Sequence, residues 1–131
     1  MISPLDPSNL RKRIVELDDR RRDLLAQLLR PSPMVIGYLY KMRRRCGSPR
    51  CKCSRGELHS SWYLSRRQEG RTKLTYVGRV VPQWLGERVG RYRQYQKRLA
   101  AMRKMDAEIS RLLNQLRDEK VQTLEQATKR R

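Results

Sequence analysis

The stretch Arg43–Leu64, RRRCGSPRCKCSRGELHSSWYL, holds all three cysteines of this 131-residue chain, Cys46, Cys51 and Cys53, and its single histidine, His59. Every cysteine and histidine of the chain therefore falls within fourteen positions. The spacing Cys46-x4-Cys51-x-Cys53-x5-His59 supplies the donor set of a closed tetrahedral Cys3His zinc site. Gly47, Ser48 and Pro49 predict the tight turn that returns the chain from Cys46 to Cys51, and Gly56 relaxes the loop before His59. Arg45, Arg50, Lys52 and Arg55 stabilise thiolates and offset the negative charge of three of them. The competing reading is three ordinary cysteines beside an unrelated surface histidine. A loop of Gly, Pro, Ser and Arg offers such cysteines no core to enter. A catalytic zinc would need a general base and a shaped apolar pocket. Glu57 is the one acid nearby, so no catalytic residue is assigned and an enzyme is not expected.

Working outward, the sequence on either side of this cluster reads as strand. MVIGYLYKMRR before it, and SWYLSRR and KLTYVGRVV after it, are short, rich in β-branched residues and tyrosine, and broken by Gly. QEGRT between the last two predicts a hairpin turn. Beyond the strands lie two helices. Asp6 and Pro7 form an N-terminal cap for a helix over 7–29, in which Leu10, Ile14, Leu17, Leu24 and Leu28 recur at spacings of four and three with Arg21 as the break. Arg30-Pro31-Ser32-Pro33 stops it, because two prolines cannot continue a helix. A second stripe, Leu85, Val89, Tyr92, Leu99, Met102, Ile109, Leu113 and Leu116, predicts a helix over 82–125. At its rise per residue this helix would reach roughly 60 Å against about 35 Å for the first, so its surplus needs the sheet or a second copy of the chain to cover it. The expected fold is α+β: an antiparallel pair of long, coiled-coil-like helices with a small three-stranded antiparallel sheet and zinc knuckle (34–81) inserted between them, all within a single domain of 1–131.

Composition points to the partner. Thirty-two Lys and Arg against thirteen Asp and Glu leave a net charge of +19, and Phe is absent. So basic a chain implies a polyanion, and nucleic acid is the commonest one. The charge is uneven: residues 1–30 carry +2, residues 31–81 carry +10 and residues 82–131 carry +7. Arg43, Arg44, Arg45, Arg50, Lys52 and Arg55 crowd the cysteine loop, and Arg66, Arg67, Arg71 and Lys73 line the hairpin. Arg88 and Arg91 extend the basic surface onto the second helix, and these twelve are the candidate nucleic-acid contacts. Trp62, Tyr63 and Tyr76 either stack on unpaired bases or pack within the strands. Arg20, Arg21 and Arg22 lie among Glu16, Asp18, Asp19 and Asp23 and read as a self-paired helix surface. No run of about twenty apolar residues predicts a membrane span. The N-terminal residues lack an apolar signal segment and the cysteines are odd in number, so a reducing, cytoplasmic setting is expected.

Cys46-Gly47, Cys51-Lys52-Cys53, Gly56, His59, Trp62-Tyr63-Leu64-Ser65, Gly70-Arg71-Thr72 and Tyr76-Val77 together resemble a family of small prokaryotic proteins known as a domain of unknown function and often met beside transposase genes. Its pattern is Cys-Gly-Lys, Cys-Arg-Cys, Gly and His-Gly-Pro, then a strand and a long basic helix. The resemblance spans about residues 36–115. Ser48 stands where the family tends to have Lys, and Ser60-Ser61 replaces the Gly-Pro after the histidine. The resemblance implies zinc and a mobile-element context, and offers no reaction. The expected function is therefore that of a zinc-stabilised nucleic-acid-binding accessory or regulator, acting on DNA or RNA. The alternative is a non-enzymatic adaptor that docks on a transposase or nuclease, or on a second copy, through the 82–125 helix.

Overall fold

In the computed structural model, residues 6–45, 47–51, 56 and 58–129 are described. The elements run α1 (Pro7–Leu28), β1 (Tyr38–Arg44), β2 (His59–Gln68), β3 (Arg71–Gly78), α2 (Gln83–Lys120) and α3 (Leu124–Thr128). The chain divides into two compact units: Pro31–Gln96, which contains the sheet, and a helical unit of α1 with the chain from Lys97 onward. The result is an α+β protein with a three-stranded antiparallel sheet and a long helix. Among the described residues, no helix is long and apolar enough to cross a membrane.

In the helical unit, α1 starts as its sequence dictates. The Asp6 carboxylate accepts the Asn9 backbone N–H at 2.9 Å, and Pro7 follows where a missing N–H costs nothing. Leu10 and Leu17 of α1 are buried in one cluster with Leu112 and Leu116 of α2, and Ile14 and Ile109 pack against it. Leu24 and Leu28, expected on the same stripe, are half-buried and lie outside that cluster. Arg21, the break in the stripe, donates from Nε to Asp106 of α2 at 2.6 Å. That bond and the facing carboxylate raise the Arg21 pKa above its ordinary value. On α2 the Arg111 guanidinium bonds Glu108 and lowers that carboxyl below its usual range.

Two expectations for the second helix change. Leu112 is buried and Leu113 is 48% exposed. From Ile109, steps of three then four and of four then three both arrive at Leu116, so spacing alone does not choose between these leucines. The structure takes the first. The helix also ends at Lys120, short of residue 125. Thr123 then caps α3 by accepting from the Gln126 backbone N–H, while the Gln126 side chain accepts from the Thr123 N–H. A capping box competes with helix continuation, because it satisfies the orphan donors of a new helix start.

In the sheet unit the strand order is β1-β2-β3. Tyr40 lies opposite Tyr63, and Tyr63 opposite Tyr76. Gln68 and Arg71 close the β2–β3 hairpin around a two-residue turn, with φ of 52° at Glu69 and 78° at Gly70. Two left-handed residues in succession match the twist of the strands they join. The register slips by one between Trp62 and Tyr63, so that Trp62 faces Gly78 and Val77 forms a bulge. Before β1, Gly37 has φ 138°, and a Cβ there would stand 2.8 Å from the Ser65 carbonyl oxygen and 2.9 Å from Leu64 Cδ1. Leu85 and Val89 of α2 are buried, and the Val35 N–H donates to the Arg88 carbonyl at 3.1 Å.

Truncations will read these assignments. Leu112→Ala empties a buried site and is expected to destabilise the helical unit by about 2–5 kcal/mol, whereas Leu113→Ala should cost under about 1 kcal/mol. Helical ellipticity followed through urea checks both. Trp62 and Trp84 are the chain's two tryptophans and both lie in the sheet unit, so tryptophan fluorescence follows that unit alone. By that signal Gly70→Ala, which meets no neighbouring atom, should cost about 1–2 kcal/mol of left-handed backbone strain. Gly37→Ala adds a clash with the β2 backbone and should cost more.

Candidate nucleic-acid interface

Side chains alternate between faces along a strand, and partners across a ladder share a face. The register therefore places Tyr38, Tyr40, Met42 and Arg44 of β1 on one face with His59, Tyr63 and Arg67 of β2 and with Leu74 and Tyr76 of β3. Leu39, Lys41 and Arg43 take the opposite face with Trp62, Leu64 and Arg66 of β2 and Lys73 of β3. The basic pairs Arg43-Arg44 and Arg66-Arg67, adjacent in sequence, are thus divided between the two faces. So are Trp62 and Tyr63. Of the three aromatic residues expected as one set, Tyr63 and Tyr76 stay together and Trp62 turns away.

The Tyr63 face is aromatic. The Tyr40 and Tyr63 ring centres lie 6.3 Å apart and tilted, and Tyr63 and Tyr76 meet edge to face at 5.5 Å. The Arg44 guanidinium stands over the Tyr63 ring at 5.7 Å. The Arg93 guanidinium of α2 stands over Tyr38 at 5.8 Å. Tyr38 and Tyr40 escaped the sequence reading because their part in this row appears only when β1 is set against β2. The signal was the alternation of Tyr38, Tyr40 and Met42 within MVIGYLYKMRR.

The remaining expected contacts sit as follows. Arg45 and Arg50 are exposed, and Arg71 and Lys73 are exposed on β3. Arg66 is half-buried and donates to the Gln68 amide oxygen at 3.0 Å. Arg88 is half-buried with its guanidinium 5.3 Å from the Trp84 ring. Arg91 donates to the Pro33 carbonyl at 3.4 Å and lies 3.9 Å from Glu87. Lys52 and Arg55 lie outside the described residues. Of the expected zinc ligands, Cys46 and Cys53 also lie outside them. Cys51 and His59 are brought together, with Cys51 Sγ and His59 Nε2 at 2.8 Å. The Cys51 N–H donates to the Ser48 carbonyl at 3.2 Å, closing the turn that Ser48 and Pro49 predict. Arg44 is the cross-strand neighbour of His59. No group of three metal-binding side chains is assembled among the described residues.

Ion pairing separates the two units. The sheet unit carries fifteen Lys and Arg against three Asp and Glu, a net of +12, and the helical unit seventeen against ten, a net of +7. Among the described residues, the helical unit forms ion pairs at Arg13–Glu16, Arg21–Asp106, Arg22–Asp18, Arg111–Glu108 and Arg117–Asp118. In the sheet unit the described residues form one, Arg91–Glu87.

No curated protein and no solved structure matches the chain. Residues 14–87, more than half of its length, match a family described as a domain of unknown function, DUF6788. The match takes in most of α1, the whole sheet and the start of α2, and so begins earlier and ends earlier than the 36–115 span of the resemblance. The aromatic sheet, the Cys51–His59 pair and Arg44 all lie within it, Arg93 lies beyond it, and the chain belongs to the DUF6788 family.

Proposed function

We propose that this protein is a zinc-stabilised, basic nucleic-acid-binding protein that acts by binding rather than by catalysis, as an accessory or regulator of a mobile element or of other nucleic-acid-processing machinery. The charge imbalance of the sheet unit carries the reading. Fifteen cations against three acids repel one another unless a polyanion is present, and a polyanion draws its affinity from such an excess. The helical unit, with seventeen cations, has ten acids to set against them and pairs five of the cations among its described residues.

Zinc belongs to the same proposal. Cys51 and His59 would hold it, with Cys46 and Cys53 as the other two ligands. A thiolate and an imidazole on one tetrahedral zinc stand about 3.5 Å apart, so Cys51 and His59, at 2.8 Å, would move apart to take the metal between them. The metal would contribute folding energy to the sheet unit and no reaction. The antiparallel helical pair is a further part of the reading. Supporting it, Arg21 of α1 reaches Asp106 of α2, and Leu10 and Leu17 share one buried cluster with Leu112 and Leu116. An adaptor role is the second reading, supported by Leu113, Val121 and Leu124, which stand exposed near the end of α2 and the start of α3.

Binding to DNA or RNA is expected to weaken steeply with salt. With roughly five to eight phosphate contacts, the log–log slope on duplex DNA is about −4 to −7. Changing Arg43, Arg44 and Arg45 together to Ala should lower affinity and flatten the slope by about one for each phosphate that is no longer neutralised. The same change at Arg20, Arg21 and Arg22 should do little, because Arg21 and Arg22 already face Asp106 and Asp18. Equal binding by both triple variants would remove the sheet unit as the binding face. No binding to any nucleic acid at physiological salt would favour the adaptor.

Protein purified without chelator should carry about one zinc per chain by elemental analysis. Chelation should unfold the sheet unit, seen in tryptophan fluorescence, while helical ellipticity persists. Absence of zinc would defeat the metal proposal. Cys51→Ser should cost more metal affinity than His59→Ala, since a thiolate brings the charge that the site needs.

A further inference from the structure

The sheet's outward surface has an unusual makeup. Of its three strands, the large apolar or aromatic side chains that stand exposed are Tyr38, Leu74 and Tyr76, and the register puts all three on the Tyr63 face. Tyr38 is 66% exposed and Tyr76 is 61% exposed. On the opposite face Leu39, Trp62 and Leu64 are half-buried. A tyrosine ring costs free energy when left in water, and ordinary hairpins alternate apolar and polar faces to avoid that. Here the face that keeps two of its four rings, Tyr38 and Tyr76, in solvent is also the one where guanidinium groups lie over rings, Arg44 on the half-buried Tyr63 and Arg93 on Tyr38.

A groove continues this row. Tyr38, Ser65, Arg66, Arg67 and Thr72 line it together with Tyr92 and Gln96 of α2. It combines two rings, two guanidinium groups and neutral hydrogen-bonding groups. These are the groups that meet, respectively, the face of a base, a phosphate and the edge of a base. A duplex hides the faces of its bases within the stack, so exposed rings gain little from it. An unpaired strand presents each base as a free π-surface, and every base type can use a tyrosine.

We infer that the Tyr63 face of the sheet is a stacking platform for single-stranded nucleic acid, with bases lying on Tyr38 and Tyr76 and phosphates on Arg44 and Arg67. The inference rests on the nucleic-acid-binding reading and adds to it the strandedness of the ligand and the side chains that meet the bases. Charge complementarity supplies the attraction, and the row of rings selects the unpaired strand. Affinity therefore divides into a salt-dependent part from the arginines and a salt-insensitive part from the tyrosines.

Fluorescence anisotropy of the full chain tests this with labelled oligodeoxyuridine and oligouridine of about 15 nucleotides and with a duplex of equal length, compared at matched salt over a series of concentrations. Either single strand is expected to bind more tightly than the duplex, and the tighter of the two names the preferred sugar. Tyr38→Ala and Tyr76→Ala should each weaken single-strand binding between about 5- and 100-fold. Neither should change the salt slope, because neither removes a charge. Tyr38→Phe and Tyr76→Phe keep the ring and should bind within a few-fold of the unmodified protein. Both positions are exposed, so an unchanged circular dichroism spectrum separates a loss of stacking from a loss of folding. Tighter binding to the duplex, or alanine variants that bind single strands normally, would overturn the stacking platform while leaving the nucleic-acid reading in place. Absence of binding to all three probes would overturn both.

Discussion

The two-residue turn at Glu69 and Gly70 controls more of this molecule than any other local feature. It sets Gln68 opposite Arg71, and from that pairing the register runs back to Tyr63 and Tyr76. A slip of one residue would move every side chain of β3 to the other face. The tyrosine row would then be divided, and Leu74 would leave it. Gly37 constrains the other edge in a comparable way, since the β2 backbone comes too close for any side chain there. Two glycines thus hold the geometry of a surface to which neither contributes a side chain.

This dependence on backbone geometry follows from how little the protein buries. Among the described residues, the buried apolar side chains are Leu10, Leu17, Leu112 and Leu116 in the helical unit and Leu85 and Val89 in the sheet unit. A thin core leaves a small margin against conformational entropy. The sheet unit adds the self-repulsion of a net charge of +12. Under the proposed function, metal ligation at one end of the sheet and a polyanion on its surface would each offset part of that. Stability and binding are on this account linked, because the groups that strain the free protein are those that a ligand would neutralise.

The Cys51–His59 pair and the tyrosine row also meet. His59 begins β2 on the same face as Tyr63, and its cross-strand neighbour Arg44 lies over the Tyr63 ring. Whatever binds at Cys51 and His59 would therefore act on the strand that carries the central ring. Arg44 joins His59 to the aromatic surface without an intervening element.

Much of the protein was legible from its residues alone. Asp6 and Pro7 announced α1, two prolines after Arg30 ended it, and β-branched and aromatic runs marked the strands, because caps, breakers and local propensity act over a few residues. The segregation of charge into the sheet region was likewise a matter of counting. Tertiary structure decided the rest. Leu112 rather than Leu113 enters the core because both spacings suit a helix and the packing partner selects between them. Thr123 ends the long helix early through a capping box whose value depends on the backbone around it. Tyr38 and Tyr40 join Tyr63 and Tyr76, while Trp62 and Arg43 turn away, because facing is a property of pairing between strands distant in sequence. Composition could say that arginines and tyrosines crowd this region. Only the register says which of them share a surface.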